Sequence, residues 1–275
     1  MEKSSGIKRR TLVKGITASS LIPLLGANLI GCSDSSDTRP GQPAESVPAE
    51  FLHGVASGDP LGDRVILWTR VTPEQDGNVV VEWEIAADQD FSDIVDSGSG
   101  STGAEVDYTV KVDVQGLEPD SGYYYRFRAG ARVSPVGRTR TVPTTAVTAA
   151  TFAVVSCSNY PAGFFHVYRE IADQPVNAVL HLGDYIYEYD RDGYASGNAE
   201  ALGRVVEPPH ELLSLSDYRT RYAQYHTDAD LQYCHAAHPF IVVRDDPEDA
   251  NEAWRDGAEK HDPETEGEES ERRAA

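Results

Sequence analysis

The chain has 275 residues, 40% of them hydrophobic and 25% charged, which is the balance of a globular protein with room for one large domain or two ordinary ones. Its formal net charge of −21 repels nucleic acid and offers no basic patch for anionic lipid. The same field repels phosphate esters at long range, so a phosphate site in this chain needs local cations, for which metals are the usual source.

The first element is an export segment. Lys8-Arg9-Arg10-Thr11-Leu12-Val13-Lys14 precedes an apolar stretch from Ile16 to Ile30 that is short and broken by Thr, Ser, Pro, Gly and Asn. That pattern reads as a signal peptide over 1–31 rather than a membrane span. The paired arginines, apolar neighbours and lysine match a twin-arginine signal, so the export machinery of that pathway is an expected partner; an ordinary secretory signal is the alternative. Leu29-Ile30-Gly31-Cys32 resembles a lipobox. Cys32 is therefore the expected lipidation site and membrane anchor of a periplasmic or cell-surface protein, against the plainer reading of an incidental cysteine. Residues 32–50, rich in Ser, Asp, Pro and Gly, read as a flexible tether.

From Phe51 to Pro143 the pattern is short alternating segments. Arg64–Arg70, Val79–Ile85, Tyr108–Val114 and Tyr123–Ala129 are predicted strands separated by Gly, Asp and Pro. Such spacing predicts an all-β, fibronectin- or immunoglobulin-like sandwich of roughly seven strands over 51–143. The run Gly116 to Tyr125 predicts a corner in which a tyrosine hydroxyl ties a loop to the backbone. No metal or nucleophile spacing occurs in this region, so its expected role is structural or shielding.

A second region runs over 151–275. Phe152–Val155 is a short apolar strand ending in Ser156-Cys157-Ser158-Asn159, Phe164–Asp173 is helical, and Ala178–Leu182 is a strand ending at Gly183-Asp184. Strand, helix, strand is a parallel crossover, whose ligand groups gather at the carboxyl ends of the strands. Cys157 and Asp184 are thus expected to be neighbours. In Gly183-Asp184-Tyr185-Ile186-Tyr187 the glycine permits a sharp exit from the strand, the carboxylate can bridge two cations, and a tyrosine three positions on can curl back to the same ion. Thiolate and phenolate donors suit a high-charge transition metal such as ferric iron. The plain alternatives are a core thiol at Cys157, or its pairing with Cys234, and strand-end packing by Tyr187, one of 14 tyrosines. His166, His181, His210 and His226 read as structural or surface residues.

Gly-Asp-x-x-Tyr resembles the metal motif of purple acid phosphatases. Joined to Ser156-Cys157-Ser158-Asn159, Leu182 to Tyr189, Asp217 to Tyr222, His235 to Pro239 and Asn251 to Ala258, it resembles the alkaline phosphatase D (PhoD) family over Phe51 to near the C-terminus. The resemblance implies an N-terminal sandwich followed by an α/β calcineurin-like metallophosphoesterase domain with an iron and calcium centre. It implies metal ligation by Cys157, Asp184 and Tyr187, with Asp184 shared between ions, and hydrolysis of a phosphate-ester substrate by metal-activated water.

Two departures qualify this. Where the family has a tryptophan-led Asp-Asp-His-Glu segment, this chain has Arg244-Asp245-Asp246-Pro247-Glu248. Asp246 remains a candidate ligand of the second metal, but Pro247 offers neither a side-chain donor nor an amide hydrogen in place of the histidine. The stretch 245–275 is also an acidic, polar tail unable to close a core, so the α/β region reads as incomplete and the chain as the front of a longer enzyme. An inactive truncated homologue and a lipid-anchored sandwich acting as a binding module are the competing expectations.

Overall fold

Strict alternation makes half-buried strands, and the sequence alternates through most of its first half. The computed structural model describes residues 46–245 and Glu248. The export segment, Cys32 and most of the tether lie outside the described residues, as do Asp246, Pro247 and 249–275. Ten strands come first: β1 (Ala49–Glu50), β2 (Val55–Gly58), β3 (Arg64–Arg70), β4 (Thr72–Pro73), β5 (Val79–Ala86), β6 (Ile94–Thr102), β7 (Thr109–Gln115), β8 (Gly122–Ala129), β9 (Arg132–Val133) and β10 (Gly137–Arg140). Strands β2, β3 and β7 form one layer, and β10, β8, β5 and β6 the other.

Every second residue of β3 is buried, so Val65 and Leu67 point inward beside Val114 of β7. They share a core with Val81 and Ile85 of β5 and Tyr125 and Phe127 of β8. Each fully buried side chain of this kind contributes roughly 1.5–3 kcal/mol of transfer free energy. Strand β6 (Ile-Val-Asp-Ser-Gly-Ser-Gly-Ser-Thr) is almost wholly exposed at a sheet edge, where a polar sequence discourages pairing with other chains. The expected tyrosine corner is present: the Tyr123 hydroxyl accepts the Glu118 amide at 2.9 Å and faces the Glu118 carbonyl at 3.5 Å.

The second region contains β11 (Phe152–Val155), α1 (His166–Ala172), β12 (Ala178–His181), α2 (Ala199–Leu202), α3 (Leu215–Tyr225), α4 (Ala229–Ala237) and β13 (Phe240–Val242). Strands β11, β12 and β13 are parallel, and β13 also pairs in parallel with β2. One six-stranded sheet, β11-β12-β13-β2-β3-β7, therefore passes from the α/β region into a layer of the sandwich. The seam is tight: a Cβ on Gly58 would lie 2.9 Å from the Phe240 carbonyl oxygen, and the Asp59 amide donates to that same oxygen at 3.2 Å.

The helical side of β11–β13 carries a second core containing Phe165, Tyr168, Val179, Ile186, Leu212, Tyr225, Leu231 and Phe240. Helix α3 starts at a reciprocal capping box, Ser214 with Asp217. Helix α4 starts at Asp228, whose carboxylate accepts the amides of Asp230 and Leu231. The same carboxylate meets Arg204 at 2.8 Å, both side chains being about 5% exposed or less. The Arg204 guanidinium lies 3.7 Å from the centre of the Tyr160 ring, which binds the loop after β11 to α4. On the opposite side of β11–β13, Phe152, Val154, Leu182, Ile241 and Val243 are exposed. Parallel sheets normally bury both faces, so this one lacks a second layer among the described residues.

Candidate metal centre

The two motif turns are held together by backbone. Phe152 pairs with Ala178 and Val155 with His181, and this parallel register continues beyond the strands. Leu182 donates to Val155 O at 2.8 Å, Cys157 to Gly183 O at 3.2 Å and Ser158 to Asp184 O at 2.8 Å. These bonds seat Cys157 against the Gly183-Asp184 turn, as the crossover reading expects.

Both turns are strained. Cys157 has φ +61° and Asp184 φ +54°, a left-handed conformation that costs side-chain-bearing residues about 1–3 kcal/mol and clusters at functional sites. Gly183 has φ +98°, and a Cβ there would fall 2.4 Å from Asp245 Cβ. Glycine is required on both counts.

The turn splits its side chains. Tyr187 returns toward Asp184 and donates its hydroxyl to Asp184 Oδ2 at 2.8 Å. Burial first, and then the Asp184 carboxylate and Cys157 sulfur hydrogen-bonded to it, push the Tyr187 phenol far above its ordinary pKa. Cys157, Asp184 and Tyr187 thus converge. Tyr185 turns the other way, into the core, where its hydroxyl meets His235 Nε2 at 2.7 Å and His226 Nε2 at 3.3 Å.

The donor set fits a cation. Asp184 Oδ1 is buried and has no hydrogen-bond partner, and the same holds for Asn159 Oδ1 in the neighbouring turn. A buried carboxylate oxygen without a donor is costly, and a cation resolves it. Among the described residues no three His, Cys, Asp or Glu side chains gather closely enough to hold a metal, so the tyrosine is needed to complete a set of three. Cys157 is exposed and Cys234 buried, and both are free thiols, which removes the alternative in which they pair. Burial raises the Cys234 pKa to about 12, as expected of a core thiol.

Among the described residues, His166, His210 and His181 have other hydrogen-bond partners than these donors. His166 pairs with Asp230 and His210 with Asp217 at the surface. His181 is buried, its pKa lowered to about 4 by burial against the opposing pull of Asp184, and its Nε2 meets Ser158 Oγ at 3.1 Å. Ser158 also meets the Tyr168 hydroxyl at 2.5 Å, so the Cys157 turn is anchored to both α1 and β12.

Sequence reasoning missed two residues that shape the site. Glu248, 2% exposed, accepts the Tyr185 amide at 2.6 Å and the Asp245 amide at 2.7 Å, pinning the loop after β13 to the Asp184 turn. Burial raises its pKa. Arg221, fully buried in α3, donates to the carbonyls of Tyr187, Tyr189, Glu207 and Pro208 and so fixes the chain leaving the turn. Its place in the Asp217-to-Tyr222 run was the available signal. Asp246 lies outside the described residues. A groove of 1340 Å³ opens at the other end of the sheet, beside the residues preceding β12 and β13, and is not part of this site.

Strand-end Cys, Asp and Tyr donors on a parallel half-sheet, behind a β-sandwich, define a class of proteins, and comparison identifies its family. A model described as "PhoD-like phosphatase" matches residues 152–275, and one described as "PhoD-like phosphatase, N-terminal domain" matches 35–143. Alkaline phosphatase D of Bacillus subtilis is 43% identical over 212 residues, which are 73% of this chain and 36% of that protein. A solved structure described as "Structure of PhoD" superposes with a TM-score of 0.72 at 40% identity, over 81% of this chain and 43% of that one. The chain belongs to the PhoD-like phosphatase family. It spans 36% and 43% of the length of these two relatives.

Proposed function

We propose that the chain carries one side of a metal-dependent phosphoesterase centre of the alkaline phosphatase D type, on a calcineurin-like α/β scaffold. The observation that supports this most is the partnerless buried oxygen of Asp184, set beside the Tyr187 hydroxyl and the Cys157 thiol at adjacent strand ends. Cys157 and Tyr187, ionised, would hold iron. Asp184 would be shared with a second ion, calcium by family likeness, for which Asp246 is a further ligand on sequence grounds. Bound ions at this place supply charge neutralisation for a phosphate ester and acidify a water to act as nucleophile.

The protein's own contribution is placement. Glu248 and Gly183 fix the Asp184 turn, Ser158 fixes the Cys157 turn, and Arg221 fixes the exit after Tyr187. The substrate is a phosphate ester. The leader supports export by the twin-arginine machinery and anchoring at Cys32 in the periplasm or at the cell surface. No helix among the described residues is long and apolar enough to cross a membrane.

The test is phosphate release from 4-nitrophenyl phosphate at alkaline pH by the metal-replete chain, abolished by EDTA and by Asp184→Asn. No release from replete protein contradicts the proposal. Pro247 favours a second reading, a chain that binds ions and ester but turns over slowly. A missing acid–base or oxyanion-binding histidine costs on the order of 10²–10⁴ in rate. On that reading Pro247→His raises the rate by on the order of a hundredfold.

A further inference from the structure

Beside the Asp184 turn lies a cleft of 590 Å³ that the metal donors do not use. Its volume falls within the roughly 300–1,000 Å³ typical of small-molecule sites. One wall comes from the sandwich, with Trp68 and Arg70 of β3, and the facing wall from α3, with Arg219, Tyr222 and His226. Arg244 and Glu248 close the end nearest the turn. Asp245, between them, packs on Gly183, and Glu248 accepts the Tyr185 amide, so the cleft begins within one residue of Asp184.

The walls are preformed. Arg70 grips Asp107 through two bonds of 2.8 and 3.0 Å, and Arg219 donates to the carbonyls of Ala104 and Glu105. The Trp68 and His226 rings lie 4.7 Å apart, and Tyr222 stacks on Tyr185 at 6.1 Å. Burial lowers the His226 pKa to about 3, so its ring is neutral and adds an apolar face. Arg70, Arg219 and Arg244 line the cleft together with Asp107 and Glu248, so its arginines outnumber its carboxylates by one on a chain whose net charge is −21. Aromatic faces from two elements favour a flat ring.

We propose that this cleft receives the alcohol portion of the phosphate ester, and that it selects esters whose alcohol is a planar ring, aryl or nucleoside, over open-chain ones. The assignment rests on the phosphoesterase reading for the position of the phosphate. It adds a specificity site formed jointly by the sandwich and α3, which gives the sandwich a part in substrate choice.

The experiment is calorimetric titration of the metal-replete full chain with two non-hydrolysable probes of equal charge, phenylphosphonate and methylphosphonate. Phenylphosphonate is expected to bind about tenfold more tightly. Tyr222→Ala and, separately, Trp68→Leu are expected to remove that advantage while leaving methylphosphonate within about twofold. Equal affinity for the two probes, binding of neither, or equal weakening of both by Tyr222→Ala overturns the proposal. Phosphate release from 4-nitrophenyl phosphate is followed on the same samples. Discrimination without release upholds the cleft and refutes the catalytic reading; release without discrimination does the reverse.

Discussion

Replacing Gly183 by alanine separates two costs that the structure places at one residue. The first is conformational: at φ +98° an L side chain is strained, by about 1–2 kcal/mol. The second is steric: the new Cβ would lie 2.4 Å from Asp245 Cβ, 2.9 Å from its amide nitrogen and 3.2 Å from its Cα. None of these is the far end of a flexible side chain, so the loop after β13 must move, and overpacking of this kind costs about 1–3 kcal/mol more. Gly203 supplies the control. It has φ +66° at the end of α2, and a Cβ there would meet nothing within 4 Å. Gly203→Ala therefore carries only the first cost, and Gly183→Ala both, about 2–5 kcal/mol in all. Urea denaturation of the two variants measures the difference, and amide exchange at Tyr185, which donates to Glu248, reports whether the loop has shifted. A Gly183→Ala variant no less stable than Gly203→Ala, with Tyr185 still protected, would refute the claim that the loop is seated on this glycine.

Three further outcomes follow from other contacts. Tyr123→Phe removes the hydroxyl that ties the corner to Glu118 and is expected to lower stability by about 1 kcal/mol, read from the denaturation midpoint. Asp228→Ala strips both the buried partner of Arg204 and the cap of α4; a loss of about 3–5 kcal/mol is expected, against near-neutrality for an exposed pair such as Arg64 with Asp113. On acidification, His53, His226 and His235 resist protonation in the folded state because burial lowers their pKa values, to about 4 and about 3 for the first two and well below the ordinary value for the third. The unfolded chain binds these protons below pH about 6.5, so stability is full above that pH and falls between about 6.5 and 3, and His53→Gln makes the fall shallower.

Much of the fold was legible because its signals are local. The segment Arg64–Arg70 is rich in β-formers and is strand β3 residue for residue, and Tyr123 reveals its corner through turn chemistry five residues away. The predicted helix over Phe164–Asp173 is shorter in fact, His166–Ala172, because Phe164 and Phe165 belong to the loop that packs around Arg204. Strand β6 escaped notice because Asp, Ser and Gly dominate it, which an exposed edge tolerates. Least legible was the seam. Gly58 carries no periodicity, and only the approach of Phe240 from 182 positions along the chain makes it part of a sheet running through both regions. At the site, the neighbourhood of Cys157 and Asp184 followed from parallel topology. The service of Glu248 to the Tyr185 amide did not, because the likeness to an Asp-Asp-His-Glu segment marks Glu248 without saying which amide it accepts.

The central claim is that Cys157, Asp184 and Tyr187 form a cation site. Metal analysis of the purified full chain, paired with its visible absorption spectrum, tests it most directly. Bound iron with a charge-transfer band from thiolate and phenolate donors is expected, lost together in Asp184→Asn and altered in Tyr187→Phe, while the far-ultraviolet circular dichroism stays the same. A folded chain that takes up no iron when offered it, or that holds iron equally well without Asp184, contradicts it.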